Sequence, residues 1–130
     1  MSPGHRSLIY VAHLRAFDYL HELYLPLKES SLSQSYAFIL PHEHSDTPYP
    51  SKKLFEEKSD RLIIVAEVSY PSTGLGMELG LAIACRIPII AISRKDVAIS
   101  RSVLQYATAH IIYTQPAELP GLLLDVLKKM

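Results

Sequence analysis

Features that mark disulfide-stabilised, nucleic-acid-binding or membrane-spanning proteins are scarce in this sequence. A single cysteine among 130 residues cannot form an internal disulfide, so we expect a reducing, cytoplasmic compartment. Thirteen basic and thirteen acidic residues balance to a formal net charge of zero, which offers no attraction to a nucleic acid polymer or an acidic membrane surface. The longest apolar stretch, residues 79–92, is interrupted by Arg86 and Pro88 and is too short to span a bilayer.

The N-terminal residues also lack a secretory pattern, because no apolar segment follows the opening MSPGHR. What the sequence does have is an ordinary globular composition, with 48% apolar and 20% charged residues. A chain of 130 residues is long enough for one domain with a hydrophobic core and too short for two. We therefore expect residues 1–130 to form a single domain.

Five short apolar runs with helical patterns between them predict the fold. Strands are expected at residues 7–12, 36–40, 62–66, 89–92 and 110–113. Helices are expected at residues 16–27, 52–58, 77–86, 95–107 and 116–129, with Pro26 ending or kinking the first and Pro120 interrupting the last. This alternation predicts the α/β class: a doubly wound, five-stranded parallel sheet in the order 2-1-3-4-5, a Rossmann- or flavodoxin-like three-layer sandwich.

That strand order predicts a ligand-binding cleft where the first and third strands diverge. Residues 12–15 and 69–76 leave these two strands at the same edge of the sheet, so they should face each other. The second segment is a glycine-rich turn before a helix, and its glycines leave room for a ligand to approach the backbone. Glu78 follows in the first helical turn, as a candidate nucleophile for glycosyl transfer or simply as a carboxylate that suits the helix dipole.

Other polar residues near this edge each have two interpretations. The hydroxyls of Ser72 and Ser100 are able to contact phosphate, or they cap helices. Arg15 is able to pair with a phosphate, or it is a solvated residue at a helix start. The loop at residues 41–50 contains His42, Glu43, His44 and Asp46, but two histidines without a further ligand signature do not define a zinc site, so we expect no metal.

A longer motif adds a resemblance to a known family. Residues 66–82 follow the pattern A-E-V-x-x-P-S-x-G-x-G-x-E-L-G-x-A, which resembles the nucleoside 2-deoxyribosyltransferase superfamily and most closely its 2'-deoxynucleoside 5'-phosphate N-hydrolases. The resemblance implies one such domain over residues 1–130. It also implies cleavage of the N-glycosidic bond of (deoxy)nucleoside 5'-monophosphates, by hydrolysis or by base transfer, with Glu78 as the nucleophile.

The resemblance further implies the substrate contacts. A serine at the position of Ser72 holds the 5'-phosphate in the hydrolases, whereas the transferases carry an aspartate there. The substrate-binding residues expected here are Tyr10, His13, Arg15, Ser72, Gly74, Gly76, Met77 and Ser100. The family needs no cofactor, acts on a small nucleoside or nucleotide, and commonly forms homodimers in which a neighbour helps to close the site.

The chain departs from the family pattern in three places, and one of them is the family's Gly-Ser pair after the first strand, which is Ala12-His13 here. An aspartate that helps to protonate the leaving base in the family is Leu54 here, and a second family aspartate is Leu62. The sequence offers Asp46, Glu43, His44 or His13 as substitutes for the missing acid. The alternative is a module that binds a nucleotide without turning it over.

Overall fold

The computed structural model describes residues 6–45 and 47–130, and a five-stranded sheet with only parallel pairings forms its centre. The strands are β1 (Leu8–Ala12), β2 (Ala37–Ile39), β3 (Leu62–Glu67), β4 (Ile89–Arg94) and β5 (Ala109–Tyr113). Their order in the sheet is β2-β1-β3-β4-β5. This confirms the α/β class and the strand order predicted from the apolar runs.

Helices cover both faces of the sheet. They are a π-helical turn (Leu20–Tyr24) that continues into α1 (Leu25–Lys28), then α2 (Ser51–Lys58), α3 (Thr73–Ala84), α4 (Arg101–Tyr106) and α5 (Leu119–Leu127), with 3₁₀ segments at Ser31–Gln34 and Pro116–Glu118. One apolar core lies under α1 and α5, and the other lies under α2 and α3. None of the helices in the described part of the chain has the length and hydropathy that a bilayer crossing requires.

Side chains of β1 alternate between the two cores, and this alternation decides which of them face α2 and α3. Ile9 and Val11 pack on the α1 and α5 side, whereas Tyr10 and Ala12 pack on the α2 and α3 side, and all four are fully buried. Burying an apolar side chain stabilises a fold by about 1.5–3 kcal/mol, so the register of a two-sided strand is strongly specified. The same alternation brings Tyr10 beneath the helix that carries Glu78.

Two prolines lie in the first turn of an α-helix. Pro26 was expected to end or kink the first helix, but it lies in the first turn of α1, directly after the π-helical turn. In a regular α-helix a proline ring clashes with the carbonyl four residues earlier, and here that residue belongs to the wider π-helical turn. Pro120 likewise lies in the first turn of α5, where an N–H is not needed, and the helix continues through it without interruption.

The helix α3 starts earlier than the sequence predicted, and this difference affects the site. The helix begins at Thr73 and not at residue 77, so Gly74 and Gly76 belong to its first turns and not to a preceding loop. Ser72 is the N-cap, and its Oγ accepts a hydrogen bond from the backbone N–H of Leu75 at 3.2 Å. A Cβ placed on either glycine would meet nothing within 4 Å. The packing of the chain itself therefore does not require glycine at these positions.

Candidate active site

A cavity of about 430 Å³ opens at the carboxyl ends of β1 and β3, a volume typical of small-ligand sites. We call it the Glu78 cavity. Its lining residues come from the end of β1, the loop before α2 and the start of α3: Tyr10, His13, Leu14, Arg15, His42, Pro48, Tyr49, Ser51, Ser72, Gly74, Leu75, Met77 and Glu78. The predicted cleft between residues 12–15 and 69–76 is therefore present.

Glu78 is half-buried on the wall of this cavity and is held by a tyrosine. The Tyr10 hydroxyl donates a hydrogen bond to Glu78 Oε2 at 2.5 Å. The Tyr10 ring is fully buried and packs edge-on against Phe55 and Tyr49, with centroid distances of 5.0 and 5.8 Å. Burial, followed by the charge of Glu78, raises the pKa of Tyr10, so the phenol remains the donor. A hydrogen bond to a charged group contributes about 1.5–3 kcal/mol, enough to orient a carboxylate.

His13 lies on the same wall, but its ring nitrogens are both occupied. Nδ1 donates to the carbonyl oxygen of Leu14 at 2.9 Å, and Nε2 accepts from the Tyr24 hydroxyl at 2.6 Å. The Tyr24 oxygen in turn accepts the backbone N–H of His42 at 3.1 Å. Burial lowers the pKa of His13 to about 4, against the opposite effect of the Leu14 hydrogen bond. The ring is therefore neutral near pH 7, and it connects the end of β1 to the following loop.

Groups that are able to hold an anion line the cavity near the start of α3. Ser72 accepts the Leu75 N–H through its oxygen and keeps its own hydroxyl proton for donation. The first turn of a helix also presents N–H groups that intrahelical bonds do not use, and its dipole favours negative charge. Arg15 is exposed and lines the same cavity. Ser72, Gly74 and Arg15 thus offer donors and positive charge to one ligand.

Two of the predicted substrate-binding residues do not line the Glu78 cavity. Gly76 and Ser100 line a second hollow of about 330 Å³ between α3 and α4, which we call the α3–α4 hollow. Ser100 is the N-cap of α4, and its Oγ accepts from the backbone N–H of Val103 at 3.5 Å. Met77 is 72% exposed at the edge of the Glu78 cavity. Seven of the nine predicted residues therefore share one cavity, and their roles there stay predictions.

Of the substitutes proposed for the missing acid, His13 lines the Glu78 cavity with both ring nitrogens in hydrogen bonds, whereas Glu43 and His44 do not line it. Glu43 pairs with Lys28, and the side chain of His44 is 88% exposed beside Glu43. Asp46, suggested as a proton donor or a metal ligand, lies outside the described residues. Leu54 packs against the apolar core, and Leu62 is fully buried in β3.

The same loop contributes two residues that the sequence did not assign to substrate. His42, considered only as a metal ligand, and Tyr49 both line the Glu78 cavity. Residues 6–45 and 47–130 contain no group of three or more histidine, cysteine or acidic side chains placed to hold a metal. The only sequence signal for His42 and Tyr49 was their position in a long loop at the correct edge of the sheet.

Comparison with known proteins gives a partial match. No family model matches the chain. Over 48 residues the chain is 50% identical to a Methanosarcina mazei protein named "Putative 2'-deoxynucleoside 5'-phosphate N-hydrolase 1". The match covers 37% of this chain and 29% of that relative's length. The chain is therefore similar, over somewhat more than a third of its length, to a protein named as a nucleotide N-hydrolase.

Proposed function

We propose that this protein cleaves the N-glycosidic bond of (deoxy)nucleoside 5'-monophosphates with Glu78 as the nucleophile. The observation that carries the proposal is a half-buried carboxylate on a cavity wall, held by a buried tyrosine hydroxyl 2.5 Å away. Anion-holding groups on the same cavity suit a 5'-phosphate. The partial similarity to a named nucleotide N-hydrolase supports the substrate class.

The proposed reaction has two displacement steps at the anomeric carbon. The hydrogen bond from Tyr10 engages Oε2 of Glu78, which leaves Oε1 to attack C1'. The C1'–N bond breaks, the base leaves with the bonding electron pair, and a glycosyl ester forms on Glu78. Attack by water at C1' then releases the sugar phosphate and regenerates the carboxylate. A second base in place of water would give base transfer.

The geometry of α3 fits a ligand with a phosphate at one end and a reacting carbon further along. Ser72 and Glu78 are six residues apart, so the helical rise separates their Cα atoms by about 9 Å. Helical side chains tilt toward the N-terminus, so the Glu78 carboxylate reaches back toward Ser72. In this arrangement Ser72 and Arg15 bind the phosphate, Gly74 lies against the sugar, and Met77 covers the exposed edge.

A nucleotide-binding module without turnover is the second candidate function. The observation that favours it is the apolar packing of Leu54 and Leu62, because neither position provides an acid for the leaving base. Such a module would use the same cavity and the same phosphate contacts. Glu78 would then hydrogen-bond a sugar hydroxyl and not attack the anomeric carbon.

One assay separates the two functions. Purified protein is incubated with a panel of deoxynucleotides, ribonucleotides and nucleosides, and free base is quantified. We expect base release by the wild type and a loss of at least about a thousand-fold in Glu78→Gln, which keeps the shape but not the nucleophile. Glu57→Gln, an exposed glutamate on α2, is the matched control and should keep full activity. Binding without release would instead favour the module, and neither binding nor release would contradict both functions.

We also propose that a second copy of the chain covers the α3–α4 hollow. Ile83 of α3 and Tyr106 of α4 line this hollow and are 38% and 55% exposed, and Gly76 and Gly80 of α3 line it as well. Contiguous exposed apolar surface of this kind commonly marks an interaction site. Sedimentation velocity should show a dimer that Tyr106→Lys converts to a folded monomer. A wild-type protein that is monomeric at high micromolar concentration would contradict the dimer.

A further inference from the structure

The proposed reaction needs a proton for the departing base, and few cavity residues are able to supply it. General acid catalysis contributes about 10²–10⁴-fold. Tyr10 is committed to Glu78, and His13 is neutral with both ring nitrogens in hydrogen bonds. An arginine side chain such as Arg15 keeps its proton in proteins. The remaining candidates on the cavity wall are His42 and Tyr49, and imidazole is the side chain whose protonation changes near neutral pH.

A hydrogen bond anchors the backbone of His42, while its ring makes no hydrogen bond with the described residues. Its N–H donates to Tyr24 Oη at 3.1 Å, and its ring packs against those of His13 and Tyr19 at centroid distances of 5.5 and 6.1 Å. Nδ1 is buried without a hydrogen-bond partner. Native structures rarely leave a buried polar atom unpaired, so this nitrogen calls for an explanation, and a catalytic role is one.

The ring of His42 differs from the ring of His13 in its hydrogen bonds. Both ring nitrogens of His13 are fixed by hydrogen bonds, whereas no hydrogen bond among the described residues uses the His42 ring. A half-turn of the His42 ring about the Cβ–Cγ bond exchanges Nδ1 with Cδ2 and breaks no hydrogen bond. The ring is therefore able to turn a nitrogen toward a ligand while the backbone of the loop stays anchored to Tyr24.

We propose that His42, in its protonated form, gives its proton to the base as the C1'–N bond breaks, an inference that rests on the proposed function. As a Glu78 oxygen bonds to C1', the C1'–N electron pair leaves with the base, and a base ring nitrogen takes the proton from His42. Water then attacks C1', the ester electron pair returns to Glu78, and the neutral imidazole takes the proton that water loses.

Substrates with different leaving groups test this role directly. His42→Gln and His42→Asn are assayed on a purine deoxynucleoside 5'-monophosphate and on 4-nitrophenyl 2-deoxyribose 5-phosphate, whose nitrophenolate leaves without a proton. We expect each variant to lose about 10²–10⁴-fold in kcat/KM on the nucleotide and to stay within about threefold of wild type on the nitrophenyl substrate. His44→Gln, two residues along the same loop and 88% exposed at its side chain, should match wild type on both.

Every other outcome of this assay contradicts either the role of His42 or the proposed function. Equal losses on both substrates would make His42 a binding or structural residue, and no loss on either would remove it from the reaction. Variants that lose their cooperative thermal transition would show that the ring is a packing element, which also contradicts the proposal. Wild-type cleavage of the nitrophenyl substrate alone would leave Glu78 as nucleophile but refute His42 as acid. Cleavage of neither substrate would refute the proposed function itself.

Discussion

Replacing Tyr10 with phenylalanine tests whether one hydrogen bond orients the proposed nucleophile. The change removes only the hydroxyl that donates to Glu78 Oε2, and the buried ring stays packed between Phe55 and Tyr49. Because Glu78 is only half-buried, water is able to replace the lost donor, so the free energy of unfolding should fall by about 1 kcal/mol or less. The rate should suffer more, since a misplacement of about 1 Å costs up to about 100-fold. We expect kcat/KM to fall by about 10- to 100-fold.

Tyr113 provides a matched control in the same sheet. Its hydroxyl also donates to a glutamate, Glu67, whose other oxygen accepts the backbone N–H of Ser69 at 2.5 Å. Glu67 is completely buried and lines no part of the Glu78 cavity. Water has no access to replace the missing donor, so Tyr113→Phe should cost about 2–3 kcal/mol of unfolding free energy and leave the activity per folded molecule unchanged.

Steady-state kinetics of base release and urea unfolding of both variants make the comparison. The expected result is a double dissociation, in which Tyr10→Phe loses activity with little loss of stability and Tyr113→Phe does the reverse. Activity of Tyr10→Phe within twofold of wild type would refute the orienting role of the hydroxyl. A large loss of stability in Tyr10→Phe would show that water does not reach Glu78, which contradicts its place on an open cavity.

Two further predictions concern the phosphate and the buried histidine. Arg15→Gln and Ser72→Ala should each lower kcat/KM for a nucleotide by about tenfold or more while leaving the matching nucleoside unaffected, since a charge-assisted hydrogen bond contributes about 1.5–3 kcal/mol; equal losses on both substrates would contradict phosphate binding. Burial lowers the pKa of His13 from 6.5 to about 4, so between these values the unfolded chain binds more protons, and the free energy of unfolding should fall as the pH drops from about 6.5 toward about 4. Urea unfolding at pH 7 and pH 4.5 should show a weaker pH dependence in His13→Gln than in wild type, and an unchanged dependence would refute this assignment.

The sheet and the edge that carries the Glu78 cavity were predictable because they depend on local patterns. Five apolar runs and the turns between them indicated the parallel strands, and the default topology placed the ends of β1 and β3 side by side. Arg15 and Ser72 lie in the segments that leave those strand ends, and Glu78 lies in the helix that follows β3. Their shared cavity is a consequence of topology, and no knowledge of side-chain packing was needed to expect it.

Helix boundaries were less predictable because context overrides local signals. Gly74 indicated a turn, yet it lies inside α3, where the Ser72 cap starts the helix early. Pro26 indicated a helix end or kink, yet it lies in the first turn of α1, directly after a π-helical turn. In both cases a neighbouring segment supplies the geometry that the residue alone would have prevented.

By itself, the amino-acid sequence determined the α/β architecture, the sheet edge at which the Glu78 cavity opens and the carboxylate placed there, because strand burial and strand order follow from apolar patterning. Only the tertiary structure decided which loop side chains face the cavity. His42 lines it because its backbone is tied to Tyr24, while Glu43 is drawn away to Lys28 and His44 projects into solvent. An irregular loop has no fixed periodicity, so long-range contacts set the direction of each of its side chains.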